Sequence, residues 1–471
     1  MSRVVKKLIY PHTHFRYKPK ALRLKKSKVS VGVYLDNAAA TPVNPEVKKE
    51  MAQVMELYGN PSSFNDVGRL ARKKLDESRV KVARFIGARP EEVVFTSSGS
   101  EANNLAIQGI ARNFQFSIFN FQKKFKYQKS KPHVITTPIE HPSVLEPMKQ
   151  LEKTGFDITY LSVDREGFVN LDELKKNLRP TTVLVSIIYA NNEIGTIQPI
   201  AKISKIIRNF RSTKSEIRNP KQSPKILNSK SETVWNFENS NLEFVSNFDI
   251  RISDLTAYPL FHVDSCQATG YLDMNVNNLG IDLLTFNGSK IYGPRGIGAL
   301  YVRRGVNLRP LILGGGQEHG LRAGTENLAA IAGLAKAVAL IDKKEGERVS
   351  ELRDYFFTQI QKAIPGIKIN GPLGQNRLPN NINISVANLD SENLLLELGK
   401  YGIYASSGSA CTARSVEPSH VLKAIGVEKK YLNGALRFSL GRQTTKKDID
   451  YVLEVLPKIV GDLRKRYKWR A

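Results

Sequence analysis

Four runs of this chain, His133-Val134-Ile135-Thr136-Thr137, Val183 to Ile188, Leu260 to Asp264 and Leu283 to Phe286, carry apolar residues in succession rather than in alternation. A strand with one wet face alternates polar and apolar residues, so continuous apolar runs predict strands covered on both sides. Helical patterns separate the runs, which predicts a mostly parallel sheet with helices on both faces and an α/β fold. Val93-Val94-Phe95-Thr96 reads as a further strand, followed by the turn Ser97-Ser98-Gly99-Ser100 and a helix. Such a turn puts free N–H groups and hydroxyls at a helix start, a natural seat for phosphate.

At the amino end, Tyr34 to Pro42 reads as a short strand and a turn of small residues, and a helix with Leu70, Leu75, Val82 and Phe85 on its apolar face follows. From Arg309 onward, helices at 328–343, 348–363 and 446–464 alternate with short strands, the pattern of a second, smaller domain. The expected organisation is a basic extension at 1–33, a large domain at 34–308 and a small domain at 309–471. Polar or basic insertions are expected at 114–131 and 209–257.

Composition narrows the function. With 41% hydrophobic and 24% charged residues in 471, a disordered chain is excluded. The net charge of +27 suggests nucleic acid, but residues 1–33 hold ten Lys or Arg and 114–131 hold five Lys, with no acid in either. The basicity therefore lies mainly in additions to the body of the chain, and nucleic-acid binding, though possible, is not the expected role. No apolar run is long enough to span a bilayer, and the first residues lack a signal-peptide pattern. Two distant cysteines give no disulfide framework, which fits a reducing compartment with the cytoplasm as default. One of them, Cys411, lies in Ser406-Ser407-Gly408-Ser409-Ala410-Cys411-Thr412-Ala413-Arg414, a run of small residues suited to presenting a reactive thiol. The other, Cys266, is read as facing away from Asp264 and filling core.

Asp264 ends one buried strand and Lys290, in Gly288-Ser289-Lys290, follows the next. Two such residues converge at the carboxyl edge of a parallel sheet. A Schiff-base lysine, a carboxylate for a pyridine nitrogen and a helix start for a phosphate are what pyridoxal 5'-phosphate (PLP) requires.

With these residues stand Glu140-His141, Asn191-Asn192-Glu193-Ile194-Gly195, Gln267, Gly293-Pro294, Gly314-Gly315-Gly316-Gln317-Glu318, Arg322 with Gly324-Thr325, and Arg437-Phe438-Ser439. Their order and spacing over about 34–465 resemble cysteine desulfurases of the NifS/IscS type, class V aminotransferases on the fold-type-I PLP scaffold. The resemblance implies a large, mostly parallel seven-stranded sheet domain and a smaller α/β domain carrying the Cys loop. It gives Lys290 the Schiff base, Asp264 the pyridine nitrogen, Gln267 the phenolate oxygen, and His141 ring stacking and proton transfer. Asn191 would touch the ring or substrate, and Gly99, Ser100 and Ser289 would hold the phosphate. Thr325 would reach the phosphate of the other subunit of a homodimer, Arg437 would clamp the substrate carboxylate, and Cys411 would be the nucleophile. Many members have His before the lysine where this chain has Ser289.

The implied reaction converts L-cysteine to L-alanine, leaving a persulfide on Cys411 for an acceptor, an iron–sulfur scaffold or a tRNA-thiolation protein. No metal and no membrane partner are expected. Alternatives are another class V activity, such as an aminotransferase or selenocysteine lyase, and a basic RNA-binding or scaffold protein that keeps the fold.

Overall fold

The computed structural model describes residues 32–124, 131–218, 258–408 and 418–466. Strand β1 (Val33–Tyr34) leads into helices α1 (Pro45–Met55) and α2 (Asp66–Phe85). Asn44 and Asn65 cap these helices by accepting from Glu46 N and Gly68 N, and Pro45 begins α1 where an N–H would have no partner. On α2 the buried positions include Ala71, Leu75 and Val82, while Leu70 is 55% exposed. The small Ala71, not Leu70, faces the core.

Strands β2 (Val93–Thr96), β3 (His133–Thr136), β4 (Asp157–Tyr160), β5 (Thr182–Ile188), β6 (Leu260–Asp264), β7 (Leu283–Asn287) and β8 (Gly298–Val302) form one seven-stranded sheet. Their order is β2-β8-β7-β6-β5-β3-β4, and β8 alone runs antiparallel to its neighbours. The expected mostly parallel sheet is present. Consecutive strand residues divide between two cores, as the pleat demands. Phe95, Leu284 and Tyr301 pack with α1 and α2, whereas Val94, Leu283 and Leu300 pack under α3 (Gly99–Lys124) and α4 (Pro142–Lys153). Helices α5 (Leu171–Asn177), α6 (Ile200–Arg218) and α7 (Val276–Leu279) complete the connections. The expected insertions begin inside helices: α3 continues to Lys124 and α6 to Arg218, leaving 125–130 and 219–257 outside the described residues.

Helix α8 (Leu328–Ala339) departs from the expected division at 309. Its sequence is apolar on nearly every side, so it must be covered all round. It lies on α1 and α2, with Ile331, Leu334 and Val338 in the core of the large sheet. The second core begins with α9 (Lys343–Ala363) and includes the antiparallel sheet β9 (Ile367–Ile369), β10 (Asn381–Val386) and β12 (Ala435–Ser439), in the order β12-β10-β9. Helices α10 (Ser391–Lys400) and α13 (Lys446–Arg466) cover it. Strand β11 (Ile403–Tyr404) pairs in parallel with β1, and Leu35 is fully buried in this second core. Short helices α11 (His420–Ala424) and α12 (Lys429–Leu432) lie between β11 and β12. The start of the described chain thus belongs to the small unit.

Candidate active site

Strand register brings the site to one sheet edge. Ile188 pairs with Asp264, Asp264 with Thr285, and Gly298 with both Asn287 and Thr96. The residues just beyond these ends therefore meet, the geometry of ligand sites in open α/β sheets.

Lys290 Nζ donates to the carbonyls of Ala38 and Ala39 at 2.7 and 2.5 Å, and Gln267 Nε2 donates to Ala38 O at 3.0 Å. The small-residue turn after β1 is thus the backstop against which both side chains are set. Asp264 is buried, and its Oδ2 accepts from Asn103 Nδ2 at 2.7 Å. The same amide donates to Ser143 Oγ at 2.8 Å, and Ser143 Oγ lies 2.8 Å from His141 Nδ1. One asparagine, a turn inside α3, thereby couples the carboxylate to the histidine that caps α4.

Cys266 corrects the sequence reading. Two residues beyond Asp264 is the same side, not the opposite one, and its N–H donates to Asp264 Oδ1 at 3.0 Å. Burial and the neighbouring Asp264 push its thiol well up, so it is held neutral, the wrong state for a nucleophile. Its sulfur crowds Gly99: a Cβ there would stand 2.6 Å from Cys266 Sγ and 3.0 Å from Asn287 Nδ2. Glycine lets the amino end of α3 come this close.

Two clefts flank that helix start. One of about 420 Å³ is lined by Ser100, Asn104, His141, Ser143 and Glu146, and one of about 120 Å³ by Ala39, Ser97, Ser98, Ser289 and Arg295. Ser289 Oγ donates to Asn287 Oδ1 at 3.3 Å. Arg437 is 1% exposed; its Nη1 donates to Asn192 O at 3.1 Å, its Nη2 pairs with Asp36 at 3.0 Å, and its buried Nε has no partner among the described residues. An orphaned guanidinium N–H invites an anionic ligand. Asn191 is fully buried; its oxygen accepts from Glu193 N and Ile194 N and its amide donates to Ile139 O, so it also shapes the turn. Thr325 is exposed, on the segment that Arg322 ties to Glu101. Cys411 lies outside the described residues.

Burial holds His141 below the ordinary imidazole value, keeping it neutral and able to take a proton; Asp264 opposes this and Lys290 reinforces it. Burial raises Glu140 to about 8, so this carboxyl keeps its proton at neutral pH. Its Oε1 accepts from Thr137 Oγ1 and Ile188 N.

Asn103, Asp36 and the Ala38 and Ala39 carbonyls were not singled out from the sequence. Asn103 was legible in principle, being one helical turn after Gly99, whereas Asp36 meets Arg437 only through the tertiary fold.

A buried carboxylate, an adjacent lysine, a neutral histidine and a glycine-opened helix start fit the ring, aldehyde and phosphate of PLP. Fold and site together define a PLP-dependent transferase of fold type I. A family model for class V aminotransferases matches residues 33–215 and 207–452. The chain is 45% identical over 436 residues to cysteine desulfurase IscS of Dictyoglomus turgidum, covering 92% of this chain and 95% of that one. It is 42% identical over 440 residues to a cysteine desulfurase of Trichormus azollae, covering 92% and 94%. Among solved structures, a NifS-like protein matches with a TM-score of 0.73 at 33% identity, over 92% of this chain and 100% of that one. A NifS-like protein from Rickettsia africae matches at 0.71 and 28%, over 91% and 99%. The chain belongs to the class V aminotransferase family, among its cysteine desulfurases of the NifS/IscS type. PLP is the cofactor of these enzymes.

Proposed function

We propose that the protein removes sulfur from L-cysteine, leaving L-alanine and a persulfide on Cys411. The observation that carries this reading is the convergence of Lys290, Asp264 and His141 on one sheet edge. The partly unpaired guanidinium of Arg437 supports a carboxylate substrate. PLP, when bound, supplies an electron sink conjugated to the substrate's α-carbon.

Asp264, held by Asn103, would balance positive charge on the ring nitrogen, and Gln267 would donate to the ring oxygen. Gly99, Ser100 and Ser289 would seat the phosphate. Arg437 would orient the substrate carboxylate, its planar fork fixing direction as well as position. Lys290 and the neutral His141 would pass the proton that leaves the α-carbon. The Cys411 thiolate then attacks the substrate sulfur: an S–S bond forms, the Cβ–S bond breaks, and protonation of the carbon product yields alanine.

The persulfide would be passed to an acceptor protein for iron–sulfur assembly or tRNA thiolation, in a reducing compartment such as the cytoplasm. Among the described residues no helix is long and apolar enough to cross a membrane. Exposed Tyr58, Phe64 and Leu313 and the exposed Thr325 support a homodimer in which Thr325 serves the neighbouring phosphate site. The test is Cys411→Ser: it should bind PLP and change the cofactor spectrum with L-cysteine, yet carry no persulfide on residue 411 and release no sulfide. Sulfide release at the wild-type rate would refute the assignment.

A further inference from the structure

The turn that carries Lys290 closes on itself. After the 3-10 turn Gly288–Lys290 the Gly288 carbonyl accepts from both Ile291 N at 3.1 Å and Gly293 N at 2.9 Å, and between those two donors stands Tyr292 with a φ of +62°. A bulky residue in this left-handed region is an outlier, whereas glycine adopts it freely. Such strain persists where the surroundings enforce it and the side chain has a use. The backbone of Tyr292 is held on both sides: its N–H donates to Thr41 Oγ1 at 2.7 Å and its carbonyl accepts from Asn44 N at 2.9 Å. Thr41 N also donates to Ser289 O at 2.9 Å. Residues 38–44 therefore grip the chain around Lys290 and, through the Ala38 and Ala39 carbonyls, its amine as well.

The side chain of Tyr292 ends among residues of the second unit. It is buried, and its Oη donates to Glu345 Oε1 of α9 at 3.1 Å and accepts from Arg442 N at 2.7 Å. Arg442 lies in the link between β12 and α13, three residues beyond the strand that carries Arg437. Its guanidinium carbon stands 4.2 Å from the Tyr292 ring centroid, its Nε donates to Glu345, and its Nη2 donates to Leu340 O at 2.9 Å, where α8 hands over to α9. Arg348 fixes the same link by donating to the carbonyls of Thr444 and Gly441 at 2.8 and 3.2 Å. Burial and the neighbouring Glu345 push the Tyr292 phenol up, so it stays a donor.

We propose that Tyr292 is a positioning residue for Lys290: its ring and hydroxyl lock the lysine's turn to the unit whose strand β12 carries Arg437, setting the reacting amine and the carboxylate clamp in register. The proposal rests on the reading of Lys290 as the residue that links PLP and of Arg437 as the clamp. Tyr292 acts through these two and not on the reacting atoms. Lys290 and Arg437 come from different cores, and a misplacement of about 1 Å between groups that act together can cost about a hundredfold in rate. Phenylalanine would fill the same space but leave Glu345 and Arg442 N without the hydroxyl that joins them. Glycine would relieve the backbone and lose the lock altogether.

The test compares the full chain with Tyr292→Phe, Tyr292→Gly, Glu345→Ala and Glu345→Gln. Each apoenzyme is mixed with PLP, the absorbance of the lysine-linked cofactor is followed as it grows, and borohydride then fixes the cofactor for peptide mapping. For Tyr292→Phe the expected result is wild-type total PLP after gel filtration, linkage to Lys290 slower by about tenfold, kcat lower by about tenfold and KM for L-cysteine within about twofold. Tyr292→Gly, though relieved of strain, should be at least as slow. Glu345→Ala should reproduce the defect, and Glu345→Gln, which keeps an acceptor for the Tyr292 hydroxyl, should recover most of it, so the proposal is judged even where a Tyr292 variant does not fold. Wild-type linkage rate and kcat in Tyr292→Phe or Glu345→Ala would overturn it, as would loss of PLP or of folded protein in parallel with loss of rate, the outcome of a merely structural role. Cofactor fixed to a residue other than Lys290 would overturn the proposal together with the assignment beneath it. Absence of alanine from the wild-type enzyme would instead defeat the desulfurase reading, while the linkage rates still judge the lock.

Discussion

Asn103 holds Asp264 and, through Ser143, His141, with a single side-chain amide. Asn103→Ala strips a buried carboxylate of a hydrogen bond of about 1.5–3 kcal/mol. PLP affinity, measured by titrating apoenzyme, should fall about tenfold or more, and Asn103→Asp should be worse because two acids then face each other. Glu140 gives a pH signature. Below its ordinary value of 4.5 this group is protonated in folded and unfolded chains alike. As pH rises from about 4.5 to about 8 the unfolded chain ionises while the folded one keeps the proton, so the group erodes stability across that window. Glu140→Gln removes the titration while keeping an oxygen for Thr137 and Ile188. Its Tm relative to wild type should therefore climb between pH 5 and pH 8. A difference independent of pH would show that Glu140 ionises normally.

At the scale of elements, the start of α3 depends on what lies across from it. Gly99→Ala puts a methyl 2.6 Å from Cys266 Sγ, an overpacking cost of about 1–3 kcal/mol. Tm and phosphate affinity should both drop, and adding Cys266→Ala should restore more than half of each, a coupling that a double-mutant cycle measures. The strands were legible because β5 and β6, apolar throughout, have no other stable setting than the middle of a covered sheet. The turn before α3 was equally readable, since its Ser and Gly have a chemical use. Leu70 misled because an exposed leucine and a buried one read alike, and Ala71 is too small to announce its burial. Cys266 stands two steps from Asp264, and alternation puts it on the same side, so that misreading was a miscount rather than a limit of the rule. What the sequence withheld were contacts made by the fold: the carbonyls behind Lys290, the Asp36–Arg437 pair and the company of α8.

For the whole molecule, a cut at the amino end has a sharp limit. Deleting residues 2–30 removes much of the basic charge and none of the described contacts, so desulfuration of free cysteine and Tm should stay near wild type, while salt-sensitive binding to RNA or anionic partners should weaken. Deleting 2–37 takes away β1, the buried Leu35 and the carboxylate partner of Arg437. That enzyme should unfold at lower urea and lose turnover. Equal activity in the two truncations would mean that β1 is dispensable. The pairing of β1 with β11 also sets an order of events during synthesis. A ribosome releases Val33 long before Ile403, and at about 5–20 residues per second the first strand waits on the order of tens of seconds for its mate. Throughout that interval Leu35 is without its core and Asp36 without Arg437. A nascent chain therefore cannot close its carboxylate clamp until Arg437 has been made and folded against Asp36.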